Sequence, residues 1–556
     1  FRVLENIVTP SKICIGRQSV KSDCIKLYNE SKKQLHHHIE KLGSHVSLTA
    51  DLWTSNHNLW YICVTTHYVN ADFELKKFII SFKQISYPHT SYAVQDGLTS
   101  CLIEWDLIDK LFTLTLDNAS VNDKAAKELR NTMGAEMFFK AEHFHVRCNA
   151  HILNIMVQNG TRLITSAIAN VRDIVKTITS IPSPMQIFNS VVQRMGLKTK
   201  SRLVVDVPHR WNATYDMIHD SLAYKAAINI YATEQHHETP SDSDWGKAES
   251  LHGFLQAFSD ATKTFSTDRH PTSHLFLKMV LAIRDVLLDE RWEQDQLLQE
   301  MANAMYVKFQ KYWNVPNIVL LVVAVMDPTQ KIDYLRFYFY TIGQNVEEKI
   351  KELRTCLNKY YLEYEKIAGS CELPTFIERD EHILANDPSS SSLGGALLGK
   401  RCIELAFAHF ASQNIEMHTK KSELDNYLED PRVHYNSDEN FDVLSWWKRN
   451  ADVYPTLSLM ARDFLAIPVS TVSSESAFSA AGRLLGKDRT SMSPETLEAS
   501  ICLKDWIIGF DDDEKGKRLT LCKGMYYSIY LISFLVLQYA GYATEGSRIC
   551  DLEDYV

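Results

Sequence analysis

Two short segments end in a carboxylate after the same kind of alternation. In the first, Val46, Leu48 and Ala50 alternate with Ser47, Thr49 and Asp51, and Leu52, Trp53, Thr54 and Ser55 follow. In the second, Phe112, Leu114 and Leu116 alternate with Thr113, Thr115 and Asp117. A period of two is the signature of a strand with one apolar face. If the two strands lie side by side and parallel, both carboxylates reach the same end of the sheet. Adjacent strands are about 4.8 Å apart, so the two anions repel strongly. Such a pair either holds a proton between its members or collects a divalent cation. We read it as a cation site.

Other residues carry weaker chemical signals. Cys148 and His151 form a Cys-x-x-His pair at the start of an apolar helix bearing Ile152, Ile155 and Met156. One thiol and one imidazole fall short of the four ligands of structural zinc, so buried packing and helix capping are the expectation from these residues alone. His36, His37 and His38 are adjacent, and three successive side chains on a helix point in different directions, so one ion cannot take all three. Arg210 beside Trp211 offers a guanidinium for phosphate and an indole for stacking on a base. The same pair also suits a buried Trp beside an ion-paired Arg. Glu475 sits in the first turn of a serine-rich helix start, where a carboxylate complements the helix dipole. Arg483, Lys487 and Arg489 follow it as a basic cluster that could face phosphates.

The elements that must position these residues are legible along the chain. Residues 17–42 have helical periodicity. Residues 44–83 read as an antiparallel meander with a turn at 70–72. Residues 90–105 form a helix with Val94, Leu98, Cys101, Leu102 and Trp105 on one side. The strand ending at Asp117 turns into a second helix that Ser120 or Asn122 can cap, and residues 144–146 make a short fifth strand. Three strands, helix, strand, helix, strand is the order of an RNase H-like α/β core. Residues 160–440 are mostly helical, with a long amphipathic stretch over 275–313. The apolar run 318–325 is too short for a bilayer and reads as buried core. Residues 387–395 (Asp-Pro, four serines, Leu, two glycines) are a linker.

The chain has 556 residues, enough for several cores. Its net charge of −10 excludes a polycation, so nucleic-acid contact would come from local basic patches. Eleven cysteines lie scattered without a C-x-x-C pair, which suits free thiols in a reducing compartment. The absence of an initiator Met reads as a fragment.

Thr49–Ser55, Leu116–Ser120, Arg147-Cys148-x-x-His151, Arg210-Trp211 and Ser474-Glu475-Ser476-Ala477-Phe478-Ser479-x-x-Gly482-Arg483 occur in that order. Together they resemble the hAT-superfamily transposases, specifically the plant RICESLEEPER-like branch, over roughly residues 1–508. The resemblance implies α/β plus α architecture: an RNase H-like catalytic core interrupted by a large all-helical insertion and completed by a C-terminal hAT dimerisation region. The expected divisions are an N-terminal helical segment at 1–43, the first part of the core at 44–160, the insertion at 161–386, a linker at 387–421, the dimerisation region with the last part of the core at 422–508, and a tail at 509–556. The resemblance further implies a DDE triad of Asp51, Asp117 and Glu475 holding two magnesium or manganese ions, and it turns Glu475 from a surface residue into the third ligand. Arg210, Trp211, Cys148, His151, Arg483, Lys487 and Arg489 are implied to contact DNA, with Trp211 stacking at the distorted site. Implied partners are transposon ends with their flanking DNA and a homodimer or higher homo-oligomer, in the nucleus, with no small-molecule cofactor. The alternative is a domesticated protein that binds DNA and dimerises without cutting.

The sequence departs from the family in places. No Cys/His array of a BED zinc finger lies upstream of residue 44. The basic aromatic stretch usual after the Asp-Pro is Asp327-Pro328-Thr329-Gln330-Lys331 here. Residues 524–544 are uncharged and meet the length of a membrane span. A transposase needs chromatin and not a bilayer, so we read them as a run-on or a poorly docked tail.

Overall fold

A computed structural model describes residues 17–55, 57–85, 90–162, 168–197, 202–207, 211–267, 270–370, 421–434, 441–485 and 492–513. The 387–395 linker, the 524–544 stretch, Arg210, Lys487 and Arg489 lie outside these residues. Among the described residues no helix is long and apolar enough to cross a membrane.

The chain divides into two compact units, one of residues 1–320 and 465–556, the other of residues 321–464. The first is built on a five-stranded sheet in the order β3-β2-β1-β4-β5. Its strands are β1 (Val46–Thr54), β2 (Trp60–Val69), β3 (Leu75–Ile85), β4 (Leu111–Leu116) and β5 (His145–Arg147). The first three form the expected antiparallel meander, while β1 pairs with β4, and β4 with β5, in parallel. The turn between β2 and β3 is closed by Phe73 N donating to Asn70 O, with Phe73 at φ 60°.

Five helices attend the sheet: α1 (Arg17–Glu40), α2 (Ser91–Glu104), α3 (Ser120–Met133) and, from the far end of the chain, two more to be met below. Helix α1 buries Tyr28, Leu35 and Ile39, and Lys110 Nζ donates to the carbonyls of Ile39, Glu40 and Leu42 at its C-terminal end. A cation there satisfies orphan carbonyls and complements the dipole. The three adjacent histidines go to three different partners: His36 to Asp106, His37 to Glu40 and His38 to the Tyr68 hydroxyl. Between α3 and β5 the chain makes a left-handed turn, with Phe139, Lys140 and Ala141 at φ 50–52°.

Helices α4 (Asn149–Thr161), α5 (Ala169–Thr179), α6 (Pro182–Arg194), α7 (Trp211–Ala223), α8 (Lys225–Glu234), α9 (Asp242–Phe265), α10 (Phe276–Leu287) and α11 (Gln296–Trp313) follow in the same unit. The long helix expected over 275–313 is broken. Asp289 and Asp295 have side chains that accept from the amides of Arg291 and of Leu297 and Leu298, ending one helix and starting another. Helices α4 and α11 approach closely at Gly160, where a Cβ would meet the Met305 and Met301 side chains within 2.7 Å. The run expected to be buried core is helix α12 (Ile318–Val325), in which Val319 to Val325 are buried.

The second unit contains α13 (Lys331–Thr341), α14 (Val346–Ser370), α15 (Glu423–Glu429), α16 (Val443–Asn450) and most of α17 (Pro455–Leu465). Its centre is aromatic. Trp447 is fully buried and donates to Met326 O, and Tyr427 donates to Val325 O. Lys331 is buried beside Tyr427, its ammonium 4.3 Å from the ring centroid and donating to the carbonyls of Tyr427 and Asp430. Trp447 and Phe464 thus fill the local core, while Trp446 keeps some exposure.

The last two helices, α18 (Val472–Leu484) and α19 (Pro494–Asp513), belong to the first unit. Helix α19 lies along β3 and α1. Trp506 donates to Ile79 O at 2.8 Å and stacks on Tyr28 at 5.3 Å. Helix α18 crosses β1 and β2, with Phe478 stacked on Trp53 at 5.9 Å.

Candidate active site

The register of β1 against β4 places the two carboxylates. Val46 faces Leu111, but Ser47 faces Thr113, so an irregularity at Phe112 shifts the pairing by one residue. From there Leu48 faces Leu114 and Thr49 faces Thr115. Carried two residues further, this register sets Asp51 level with Asp117, on the side of the sheet that carries Ser47, Thr49, Thr113 and Thr115. A slip of one would have turned one carboxylate to the opposite face. The hydroxyls on this face are paired: Thr113 donates to Ser47 Oγ at 2.8 Å and Thr115 to Pro468 O at 2.8 Å.

That last bond belongs to a splint over the polar face. Residues 466–471 run across it, with Asn149 N and Nδ2 donating to Val469 O and Ser470 Oγ donating to Phe265 O. Thr471 N and Oγ1 both face the Cys148 sulfur at 3.4 Å. The splint leads into α18, whose first turn carries Glu475, exposed and near enough to add its charge to that felt by Asp51.

Burial is the chief influence on the Asp51 carboxyl, and the charges of Asp117 and Glu475 are the smallest. Burial pushes its carboxyl up to about 7, the Leu52 amide at 2.8 Å pulls it down, and the charges of Asp117 and Glu475 push it up again. Asp117 is held by the Ala119 amide at 2.9 Å and by Asn122 Nδ2 at 2.5 Å, both on Oδ1. The N-cap of α3 is Ala119, and no side chain caps the first turn. Neither Ser120 nor Asn122 caps it; Asn122 is buried and turned back onto the carboxylate. Asn118 donates to Cys148 O at 3.1 Å.

The remaining sequence-derived candidates divide. Cys148 is fully buried at the N-terminus of α4, and burial raises its thiol to about 11 despite the Thr471 hydroxyl, the His151 amide and the Thr471 amide facing it. Buried packing at a helix start is what the residues themselves suggested. His151 is partly exposed one turn into that helix. Trp211 opens α7 and is 5% exposed. The ion pair beside it comes from Arg172, which grips Asp206 in bidentate fashion at 2.9–3.1 Å while Thr214 donates to the same carboxylate. Arg483 is exposed in the last turn of α18. Sequence reasoning passed over Thr471 and the true role of Asn122. The only signal for either was a polar side chain near a carboxylate or thiol in the fold, which no local pattern encodes.

Three hard oxygen donors suit magnesium or manganese. Asn118 Oδ1 and Asn122 Oδ1 are buried without hydrogen-bond partners, acceptors that the waters of a hydrated cation would satisfy. Among the described residues, however, no group of three or more His, Cys, Asp or Glu side chains is arranged to hold an ion. Magnesium ordinarily takes one or two carboxylates and fills its octahedron with water and substrate phosphate oxygens, so an incomplete protein cage is compatible with it.

Comparison with known proteins gives four family matches. Residues 423–507 match the hAT family C-terminal dimerisation region, and residues 274–364 match the hAT-like transposase RNase-H fold. Residues 49–143 match the ZBED1 RNase-like domain, and residues 146–254 match the ZBED1 RNase-like helical domain. Zinc finger BED domain-containing protein RICESLEEPER 2 of Oryza sativa subsp. japonica is 31% identical over 537 residues, covering 94% of this chain and 73% of that protein. RICESLEEPER 1 of the same organism is 31% identical, covering 91% of this chain and 71% of its own length. "Putative AC transposase" of Zea mays is 31% identical, covering 88% of this chain and 60% of its own length.

Proposed function

The chain belongs to the hAT superfamily, and from that premise we propose that it is a metal-dependent DNA transposase that cleaves and transfers strands with Asp51, Asp117 and Glu475. The reading rests on one observation: the register of β1 against β4 carries Asp51 level with Asp117 on one face of the sheet. A protein that gathers like charges in a partly buried place stores a repulsion that a cation relieves.

Asp51 and Asp117 would hold magnesium or manganese, with Glu475 completing the set. Bound there, the metal supplies Lewis-acid stabilisation of the scissile phosphate and activates the attacking water or 3′-hydroxyl. The residues of the chain do the positioning. Asn122 and the Ala119 amide fix one oxygen of Asp117, and the Leu52 amide fixes one oxygen of Asp51, so each keeps a second oxygen for the site. The splint at 466–471 and the Phe478–Trp53 stack hold Glu475 over the sheet end.

In this reading the RNase H-like core spans residues 44–160, is interrupted by the helical insertion at 161–386, and is completed by residues 422–508. DNA is contacted by Arg210, His151 and the Arg483, Lys487 and Arg489 cluster. Cys148 acts by positioning α4. Trp211 presents its ring to DNA only when the start of α7 moves. The partners are transposon ends and flanking DNA, with a second copy of the chain, in the nucleus. Surface residues of the C-terminal region must make the dimer, since Trp447 and Phe464 are spent on the core.

The test is nicking of labelled terminal-repeat DNA in magnesium, comparing the wild type with Asp51→Asn. Cleavage is expected in the wild type and is lost in the variant and in EDTA. Equal cleavage by both would remove Asp51 from the mechanism. The second reading is a domesticated protein that binds DNA and dimerises without cleavage. Calorimetric titration of the wild type with magnesium and DNA showing no uptake of metal, together with no nicking, would select it.

A further inference from the structure

Beside the sheet end lies a cleft of about 760 Å³ that the sequence motifs touch only at Arg147 and Asn149. It is walled by β5, by α3 and by the stretch 311–320 that leaves α11. Arg147, at its mouth, faces Leu116 in the β4–β5 ladder and so stands next to Asp117. Four cations line the cleft against two carboxylates, on a chain whose net charge is −10. Arg147 is committed to Asp123 at 3.0 Å. Lys127, Arg130 and Lys311 are exposed and make no ion pair among the described residues. Lys311 lies 5.0 Å from the centroid of the partly exposed Tyr312 ring. On the wall, His145 Nε2 is buried and has no hydrogen-bond partner among the described residues.

We infer that this cleft is the path of a single DNA strand leaving the carboxylate site. Lys127, Arg130 and Lys311 take successive phosphates, Tyr312 stacks a base, and His145 Nε2 meets a phosphate oxygen or a base edge. Unpaired cations lining a groove beside an aromatic face are what a single strand needs: charge for the backbone and a π-surface for bases of any sequence. The assignment rests on the transposase reading for its substrate, but not on the three carboxylates.

The experiment measures anisotropy of a labelled single-stranded oligonucleotide in EDTA, where no cleavage occurs, across a salt series. The triple variant Lys127→Ala, Arg130→Ala, Lys311→Ala is expected to bind at least about tenfold more weakly and to lose about 2 from the slope of log K against log salt, at roughly 0.7 per phosphate contact. Tyr312→Ala is expected to weaken binding about tenfold with the slope unchanged, as loss of one stacked base does. All three cations are exposed, so the triple variant melts with the wild type, and its melting curve confirms that. An unchanged affinity and slope in the triple variant would overturn the cleft. Equal competition by duplex of the same sequence would overturn the single-strand assignment. Loss of binding in the triple variant with no nicking by the wild type would sink the nuclease reading and leave the cleft standing.

Discussion

Asp51 is the residue whose chemistry can be read without DNA. Its folded pKa of about 7 lies above the value near 3.9 expected in an unfolded chain. Below pH 4 both states carry the proton and the residue has no effect. Between pH 4 and 7 the unfolded chain releases it and the folded one keeps it, so stability falls as pH rises. Above 7 the full penalty is present, on the order of 4 kcal/mol at about 1.4 kcal/mol per unit. In EDTA, Asp51→Asn is therefore expected to melt above the wild type at pH 8, with the gap closing towards pH 4. Magnesium should narrow the gap by stabilising only the wild type. A variant less stable than the wild type at pH 8 would contradict the repulsion. Asn122→Ala tests the neighbour: it leaves Asp117 Oδ1 with the Ala119 amide alone and is expected to raise the magnesium concentration needed for nicking more than it lowers the saturated rate. Asp51 and Asp117 were legible because an alternating strand announces which face its last residue joins. Glu475 was not legible locally. A carboxylate in a first helical turn looks the same whether it faces water or a sheet 358 residues upstream, and only the order of motifs pointed to it.

At the scale of elements, placement of α18 decides whether the third carboxylate is present. Phe478 is 7% exposed and packs against Trp53 and Phe82. Phe478→Ala is expected to cost about 3 kcal/mol by denaturant titration, as removal of a buried phenyl does. It should also reduce nicking beyond what the unfolded fraction explains, because Glu475 loses its support. Retained nicking per folded molecule would show that α18 is held by the splint alone. A second element carries strain. Lys140 is exposed at φ 52°, where a Cβ costs about 1 kcal/mol. Lys140→Gly is expected to stabilise the protein by up to that amount. The strands and most helices followed from periodicity, since burial of one face imposes the pattern. The break at 289–295 did not, because two Asp side chains ended and restarted a helix inside an unbroken amphipathic rhythm.

At the scale of the molecule, the first unit is assembled from the two ends of the chain, with residues 321–464 between them. The C-terminal part is no appendage. Trp506 is 1% exposed among Tyr28, Trp105 and the Ile79 carbonyl, and at Gly509 a Cβ would lie 2.6 Å from the Phe78 ring. Gly509→Val is expected to lift α19 from β3 and lower Tm by several degrees, a loss on the order of 2 kcal/mol for overpacking. Pattern reading recognised residues up to Trp506 as one C-terminal region. The resemblance assigned the last part of the core to 422–508, but no local pattern marked Leu465 as the point from which the chain packs with the sheet. Translation gives this arrangement a further meaning. A ribosome releases the strands of the sheet long before α18 and α19, so the nascent chain carries an uncovered sheet until those helices follow. A stop codon before residue 494 therefore removes the helix that packs Trp506 against β3 and α1, and the truncated chain is expected to be degraded rather than to accumulate.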